Sequence, residues 1–398
     1  MKKFAVISAA LPPSQSAQSM IIFHLLKMLN PREYCLITQN NFHLYSIKPK
    51  CIPRLPANYY FVQPDYQFIR ILTLLALKIQ STALLDLALK IHTHQIKKIL
   101  LKEHCEAIIV CTGDLFDPPA ALIASRELNI PLIFYAFDYY SQGADPLLRS
   151  FAAKFETDLV RTAANVIVPN EYMQDEYLKR YDIKATILYN PFDLDDYERQ
   201  ARNRKNDSGV EKMIVYTGAI YDAHYDAFRN LIAAVNSLGT ESLKIHLYTP
   251  QSLHHLIGNN ISGSNVIIHK ALPASSIPVI QRNADILFLP LAFGSGYPDI
   301  IRTSAPGKMG EYLASKTPIL VHAPKDSFVS WFFKMNNCGL VVDENSPENL
   351  AQAIKRLLSD DRLCRELTQN AYKIAESDFD NRIIQEKFYR LLESLTPS

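Results

Sequence analysis

The chain has 398 residues, 48% of them apolar, which is enough to build two cores of ordinary domain size. Forty-two Lys and Arg against 40 Asp and Glu give a net charge of +2, so there is no electrostatic footprint for general nucleic-acid binding and any phosphate is met locally. The six cysteines, Cys35, Cys51, Cys105, Cys111, Cys338 and Cys364, form no CxxC and no Cys/His cluster of zinc spacing, which argues against a disulfide framework and for a reducing, cytoplasmic setting.

FAVIS (4–8) reads as a first core strand and not as a signal peptide, because Pro12 and Pro13 cut its apolar run short. A helix follows from about Gln15 to Leu29. The most apolar segment, 68–91, carries Arg70, Lys78, Asp86 and Lys90 and therefore does not span a bilayer. It reads as a long core-packing helix or, with Lys97 and Lys98 after it, as a helix lying on an anionic membrane surface. Next come AIIVC (107–111) with a helix over Pro118 to Leu128, PLIFYAF (131–137) with a helix across 145–162, and NVIVP (165–169) with a helix over 170–179. The pattern pauses at 189–209, which is polar, charged and without periodicity, as an interdomain linker is. It restarts with MIVYTGA (213–219), a helix at about 223–238, LKIHLYT (243–249), a helix near 251–257, NVIIH (265–269), a helix over 273–282, ILFLPL (286–291), PILVH (318–322) and GLVVD (339–343). Residues 346–395 are helical throughout. Repeated βα units specify an α/β protein of two Rossmann-like, doubly wound parallel-sheet domains. The expected division is 1–195, a linker at 196–211, a second domain at 212–376, and a closing helix at 377–398 that crosses back to the first.

The window TSAPGKMGEYLASKTPILVHAP (303–324) is the most informative. Pro306 and Gly307 suit a helix entry, which puts Lys308 in the first turn, where the dipole disfavours a cation by about 0.3–1 kcal/mol unless an anion is bound. Glu311, three residues on, shares nearly the same face. The pair reads either as a phosphate-directed charge beside a hydroxyl-directed carboxylate or as an ordinary surface ion pair. Ligands of open α/β sheets sit beyond the carboxyl ends of strands. Gly218 to His224, His269 with Lys270, Gly294 to Pro306 including Arg302, and Asp138 all follow strands in that sense. Asp193-Leu194-Asp195 has the form of a metal-binding DxD but stands in the linker, so no metal is assigned to it.

The pattern KxxEYxAxxxP, carried by Lys308, Glu311, Tyr312, Ala314 and Pro318, together with YTGA (216–219) and ILYNPFD (187–193), resembles the retaining GT-B glycosyltransferases of family 4. The resemblance covers nearly the whole chain. It implies two domains facing across a cleft and transfer of a sugar from a nucleotide-diphosphate sugar to a glycan or lipid-linked acceptor, as in polysaccharide biosynthesis. Glu311 would hold the donor ribose. Lys308, Arg302, His224 and the turns at Gly218 and Gly294 would border its diphosphate, and Asp138 would stand near the transferred sugar as the catalytic-side group. No metal or further cofactor is implied and no nucleic acid is a partner; peripheral contact with the inner membrane surface would come from 68–91 in its membrane-surface reading. The chain departs from the family at three places. Thr303 occupies the position of the first glutamate of EX7E, Ala219 follows Gly218 in place of a cation, and the turn after the first strand is PPSQSAQS (12–19), where Gln15 and Gln18 offer amide groups to an acceptor. The alternatives are a noncatalytic homologue acting in a glycan-assembly complex and a sugar-nucleotide epimerase.

Overall fold

The computed structural model describes residues 3–14, 16–39, 53–62, 65–141, 145–199 and 211–395. The chain forms two compact units, one of Met1–Tyr189 with Ile384–Ser398, the other of Asn190–Ile383.

The first unit is built on seven strands: β1 (Phe4–Ile7), β2 (Tyr34–Thr38), β3 (Asn58–Phe61), β4 (Ala107–Cys111), β5 (Leu132–Tyr135), β6 (Asn165–Val168) and β7 (Thr186–Ile187). Their order is β3-β2-β1-β4-β5-β6-β7, and every pairing is parallel. β1, β2, β4 and β5 are buried along their whole length, and β1, β4 and β5 for that reason read as unbroken apolar runs instead of alternating ones. β2, β3 and β7 were not singled out in the sequence; β3 and β7, at the sheet edges, are only partly buried and lack such a run.

The apolar segment 68–91 is two helices, Asp65–Ile79 and Thr82–Lys102. Gln80 takes a left-handed conformation with φ 53°, and the Ser81 N–H donates back to the Ala76 carbonyl at 3.0 Å, a helix-ending turn that periodicity does not reveal. The second of these helices packs inward through Leu85, Leu89, His92, Ile96 and Leu100. The closing helix, Asn381–Glu393, enters the first unit from Ile384 onward. There Ile384, Phe388 and Leu392 join the core around β1 and β4, and the Tyr389 hydroxyl donates to the Leu25 carbonyl at 3.2 Å.

The second unit repeats the scheme with β8 (Lys212–Thr217), β9 (Leu243–Thr249), β10 (Val266–Lys270), β11 (Ile286–Pro290), β12 (Ile319–His322) and β13 (Leu340–Val342). The order is β10-β9-β8-β11-β12-β13, again all parallel. In both sheets the strand order reverses beside the first strand, between β1 and β4 and between β8 and β11. In open sheets of this kind ligands bind at the carboxyl ends of the strands where the order reverses. Asn190–Glu198, which the sequence reading divides between the first domain and the linker, packs within the second unit. Phe192 exchanges backbone hydrogen bonds with Phe379 and Asn381, and Leu194–Glu198 is a short helix with Leu194 and Tyr197 buried. Of the expected linker, 200–210 lies outside the described residues.

Candidate functional site

At the switch point of the second unit, β8 ends in Tyr216, Thr217 and Gly218. Gly218 has φ +131°, and a Cβ placed there would stand 3.2 Å from Lys308 Cε and 3.4 Å from Lys308 Nζ. The glycine therefore serves two needs, a backbone conformation closed to other residues and room for a lysine to cross over it. The Lys308 ammonium donates to the Tyr216 hydroxyl at 3.1 Å and lies 4.6 Å from the centre of that ring, while the hydroxyl donates onward to the Ala219 carbonyl at 2.6 Å. Lys308 immediately precedes the helix Met309–Ala314 in helical conformation, at φ −82° and ψ −3°. It is half-buried and has no carboxylate within ion-pairing distance among the described residues. The surface ion pair with Glu311 is not formed.

Glu311 accepts instead from Gln281 Nε2 at 3.2 Å. Gln281 is fully buried. Its amide also donates to Thr217 Oγ1 at 3.0 Å and accepts from the Tyr197 hydroxyl at 2.6 Å, so one glutamine side chain fixes the carboxylate, the end of β8 and the segment after Phe192. Desolvation pushes the Glu311 carboxyl above its usual range, with Gln281 and the charge of Lys308 opposing. The helix carrying Glu311 is seated from behind by Phe192, whose ring would lie 2.6 Å from a Cβ at Gly310, and the loop before it is held by Asn190 donating to the Ala305 carbonyl at 3.0 Å.

His224 begins the helix Tyr225–Ser237 and is buried against Tyr216 and Tyr221. Its Nδ1 finds no hydrogen-bond partner among the described residues. Burial, with Lys308 nearby, lowers its pKa to about 3, so the ring is neutral at ordinary pH. Next to it, Asp226 Oδ2 accepts from the Phe293 and Gly294 amides at 2.9 and 2.7 Å, pinning the loop after β11.

At the switch point of the first unit stand Gln18 and Asp138, both bonded to Thr112 after β4. Gln18 Nε2 donates to Ser8 Oγ at 2.9 Å and to the Thr112 carbonyl at 2.8 Å, so its amide nitrogen ties the ends of β1 and β4 together. Asp138 is exposed on the loop after β5, and Thr112 Oγ1 accepts from the backbone of Phe137 at 3.0 Å and of Asp138 at 3.4 Å. Gln15 lies outside the described residues. Nearby, His92, Asp114 and Asp117 bring one potential metal-ligand atom each within 4.8 Å of one another. Among the described residues Asp117 Oδ2 and His92 Nδ1 find no hydrogen-bond partner, and the other polar atoms of the three side chains are engaged within the fold. His92 Nε2 is 2.7 Å from Asp117 Oδ1, Asp114 Oδ1 accepts from the amides of Phe116 and Asp117 at 2.7 and 3.0 Å, and Asp114 Oδ2 accepts from Gln39 at 2.5 Å.

The family profile described as "Glycosyl transferases group 1" matches residues 198–374, and that of "Glycosyltransferase Family 4" matches 64–196. The two matches support a group 1 glycosyltransferase. No curated protein matches it by sequence. By structure this group 1 glycosyltransferase resembles sucrose-phosphate synthase from Thermosynechococcus elongatus (16% identity, 99% of each chain, TM-score 0.68). It also resembles HepE of Anabaena solved with UDP (16%, 99% of this chain and 100% of that one, TM-score 0.66) and a glycosyltransferase from Rickettsia africae (13%, 99% and 98%, TM-score 0.66). At these identities the likeness shows the fold, which is GT-B.

Within this glycosyltransferase the structure brings Gly218, Lys308 and His224 together around Tyr216, with Glu311 tied to the neighbouring Thr217 through Gln281. Gly294 stands beside Asp226 with its amide already used. Arg302 is half-buried in the helix Pro298–Thr303. Thr303 turns its hydroxyl back to the Asp299 carbonyl at 3.0 Å and is buried, so it does not stand in for the missing glutamate. Asp195 faces Arg199 and Arg382, each at 3.7 Å, which accounts for one carboxylate of the DxD by surface pairing. Tyr216, Gln281, Tyr197 and Asp226 were missed by the sequence reading. Tyr216 alone had a local signal, at the head of the YTGA turn. Gln281 lies inside a helix with nothing in its neighbourhood to mark it.

Proposed function

We propose that this glycosyltransferase takes its sugar from a nucleoside-diphosphate donor and passes it to a hydroxyl of a glycan or lipid-linked acceptor, with retention and without a metal. The observation that carries this is the half-buried Lys308 ammonium, held over Gly218 at the switch point by a tyrosine hydroxyl and left without a carboxylate among the described residues. A diphosphate supplies that missing charge. As the glycosidic bond breaks, negative charge accumulates on the leaving phosphate, and a pre-placed cation stabilises it with no reorganisation. Lys308 thus does the work a divalent ion does elsewhere. Glu311, oriented by Gln281, accepts from the ribose hydroxyls. His224 meets the donor as a neutral group, Arg302 adds charge at the outer side, and Gly218 and Gly294 keep the approach open. Asp138 and Gln18, with Gln15, are assigned to the sugar and acceptor side. Retention rests on the family resemblance. HepE is solved with UDP and with UDP-glucose, which makes uridine nucleotides the first probes.

The test is calorimetric titration of UDP, GDP and their sugars into the wild type, Lys308→Ala and Glu311→Ala. Binding of one nucleotide, weakened in both variants, supports the reading; absence of binding, or variants indistinguishable from wild type, removes it. Turnover insensitive to EDTA is expected. The unreplaced carboxylate at Thr303 favours one second reading, a noncatalytic homologue, which would bind the nucleotide and transfer nothing.

A further inference from the structure

The helix Asp65–Ile79 of the first unit buries Ile69, Leu72 and Ala76 on one side. On the other it presents Phe68, Ile71, Leu74, Leu75 and Ile79, each 45–63% exposed. Five large apolar side chains turned to solvent on one helix are far from the scattered exposure normal for a surface, and mark an interaction face. Over 67–79, where the side chains are described, the charged residues are Arg70 and Lys78, both cations and both exposed. Neither has an ion partner among the described residues. On a helical projection Lys78 falls inside the apolar arc and Arg70 at its edge. The helix packs against its neighbour Thr82–Lys102. Among the described residues no helix is long and apolar enough to cross a membrane.

We propose that this helix docks the protein in the plane of a bilayer containing anionic phospholipid. The apolar residues enter the boundary between headgroups and acyl chains. Arg70 and Lys78 extend their stems along that surface and place their charges among the phosphates. The charge pattern selects this occupant over a second copy of the chain. A two-fold contact would set the two cations of one copy against the same two of the other, with no carboxylate between 67 and 79 to compensate. A lipid headgroup layer supplies the complementary charge at every position. Docking is separate from the donor site in the other unit, so nucleotide affinity reports on that site independently.

The experiment is flotation of the full-length protein with phosphatidylcholine vesicles, with and without phosphatidylglycerol, at low and high salt. The wild type is expected to float with the anionic vesicles and to be released by salt. Arg70→Glu with Lys78→Glu weakens binding by about tenfold or more. Ile71→Glu with Leu75→Glu abolishes it, while both double variants keep the melting temperature, the elution volume and the nucleoside-diphosphate affinity of the wild type. Three results overturn the proposal: no wild-type binding to anionic vesicles, equal binding by the variants, or a concentration-dependent dimer that Ile71→Glu with Leu75→Glu dissociates.

Discussion

Replacing Gly218 by alanine tests whether the backbone at the end of β8 exists to admit Lys308. The substitution acts twice. At φ +131° an alanine is strained, at a cost of about 1–3 kcal/mol in folding stability. Its Cβ, 3.2 Å from Lys308 Cε and 3.4 Å from Nζ, also pushes a flexible lysine end aside. That displacement adds little to the stability loss, because the lysine can rotate away, but it moves the charge off the Tyr216 hydroxyl. A charge-assisted contact to a phosphate is worth about 1.5–3 kcal/mol, so nucleoside-diphosphate affinity should fall roughly ten- to hundred-fold. Thermal melting reads the first effect and calorimetry the second. In a Lys308→Met background Gly218→Ala should retain its stability cost and lose nearly all of its effect on affinity, since the charge it displaces is already gone. If Gly218→Ala alone leaves affinity unchanged while Lys308→Met lowers it, or if the two affinity losses add, the steric argument is wrong.

Three further outcomes follow from the geometry. Gln281→Leu leaves the buried Tyr197 hydroxyl without its acceptor and Glu311 without its donor; melting should show a loss of about 1–3 kcal/mol, partly recovered when Tyr197→Phe is added. Gly310→Ala places a Cβ 2.6 Å from the Phe192 ring, an overpacking that costs about 1–3 kcal/mol and that Phe192→Leu should relieve, again by melting. His224 sets a pH dependence. Its pKa falls from 6.5 in the unfolded chain to about 3 in the fold, so below 6.5 the unfolded state binds the extra proton and stability drops as pH falls toward 3. By pH 5 the loss is about 2 kcal/mol, which denaturant titrations at pH 7 and pH 5 should register for the wild type and largely lose in His224→Phe.

Much of this was legible in the chain. Strands buried on both faces announce themselves as apolar runs, and β1, β4, β5, β8, β11 and β12 are of that kind. The motif around Lys308 and Glu311 was legible too, because its spacing is local. The break at Gln80 was not, since a left-handed residue without glycine leaves no compositional mark. Nor was the role of Asn190–Tyr197. Its polarity reads as a linker, and only the packing of Phe192 on Gly310 and the bond from Tyr197 to Gln281 make it a wall of the second unit.

The sequence by itself determined two parallel α/β units, the family, and the fact that Lys308 and Glu311 lie one turn apart. Tertiary structure decided what those two residues touch. Lys308 reaches across Gly218 to Tyr216, 92 positions away in the chain, and Glu311 is held by Gln281, 30 positions away. Periodicity and spacing report neighbours within a turn or a strand. Which strand end closes over a lysine, and which buried amide aims a carboxylate, depends on the order of strands in the sheet, and that order is fixed only when the sheet assembles.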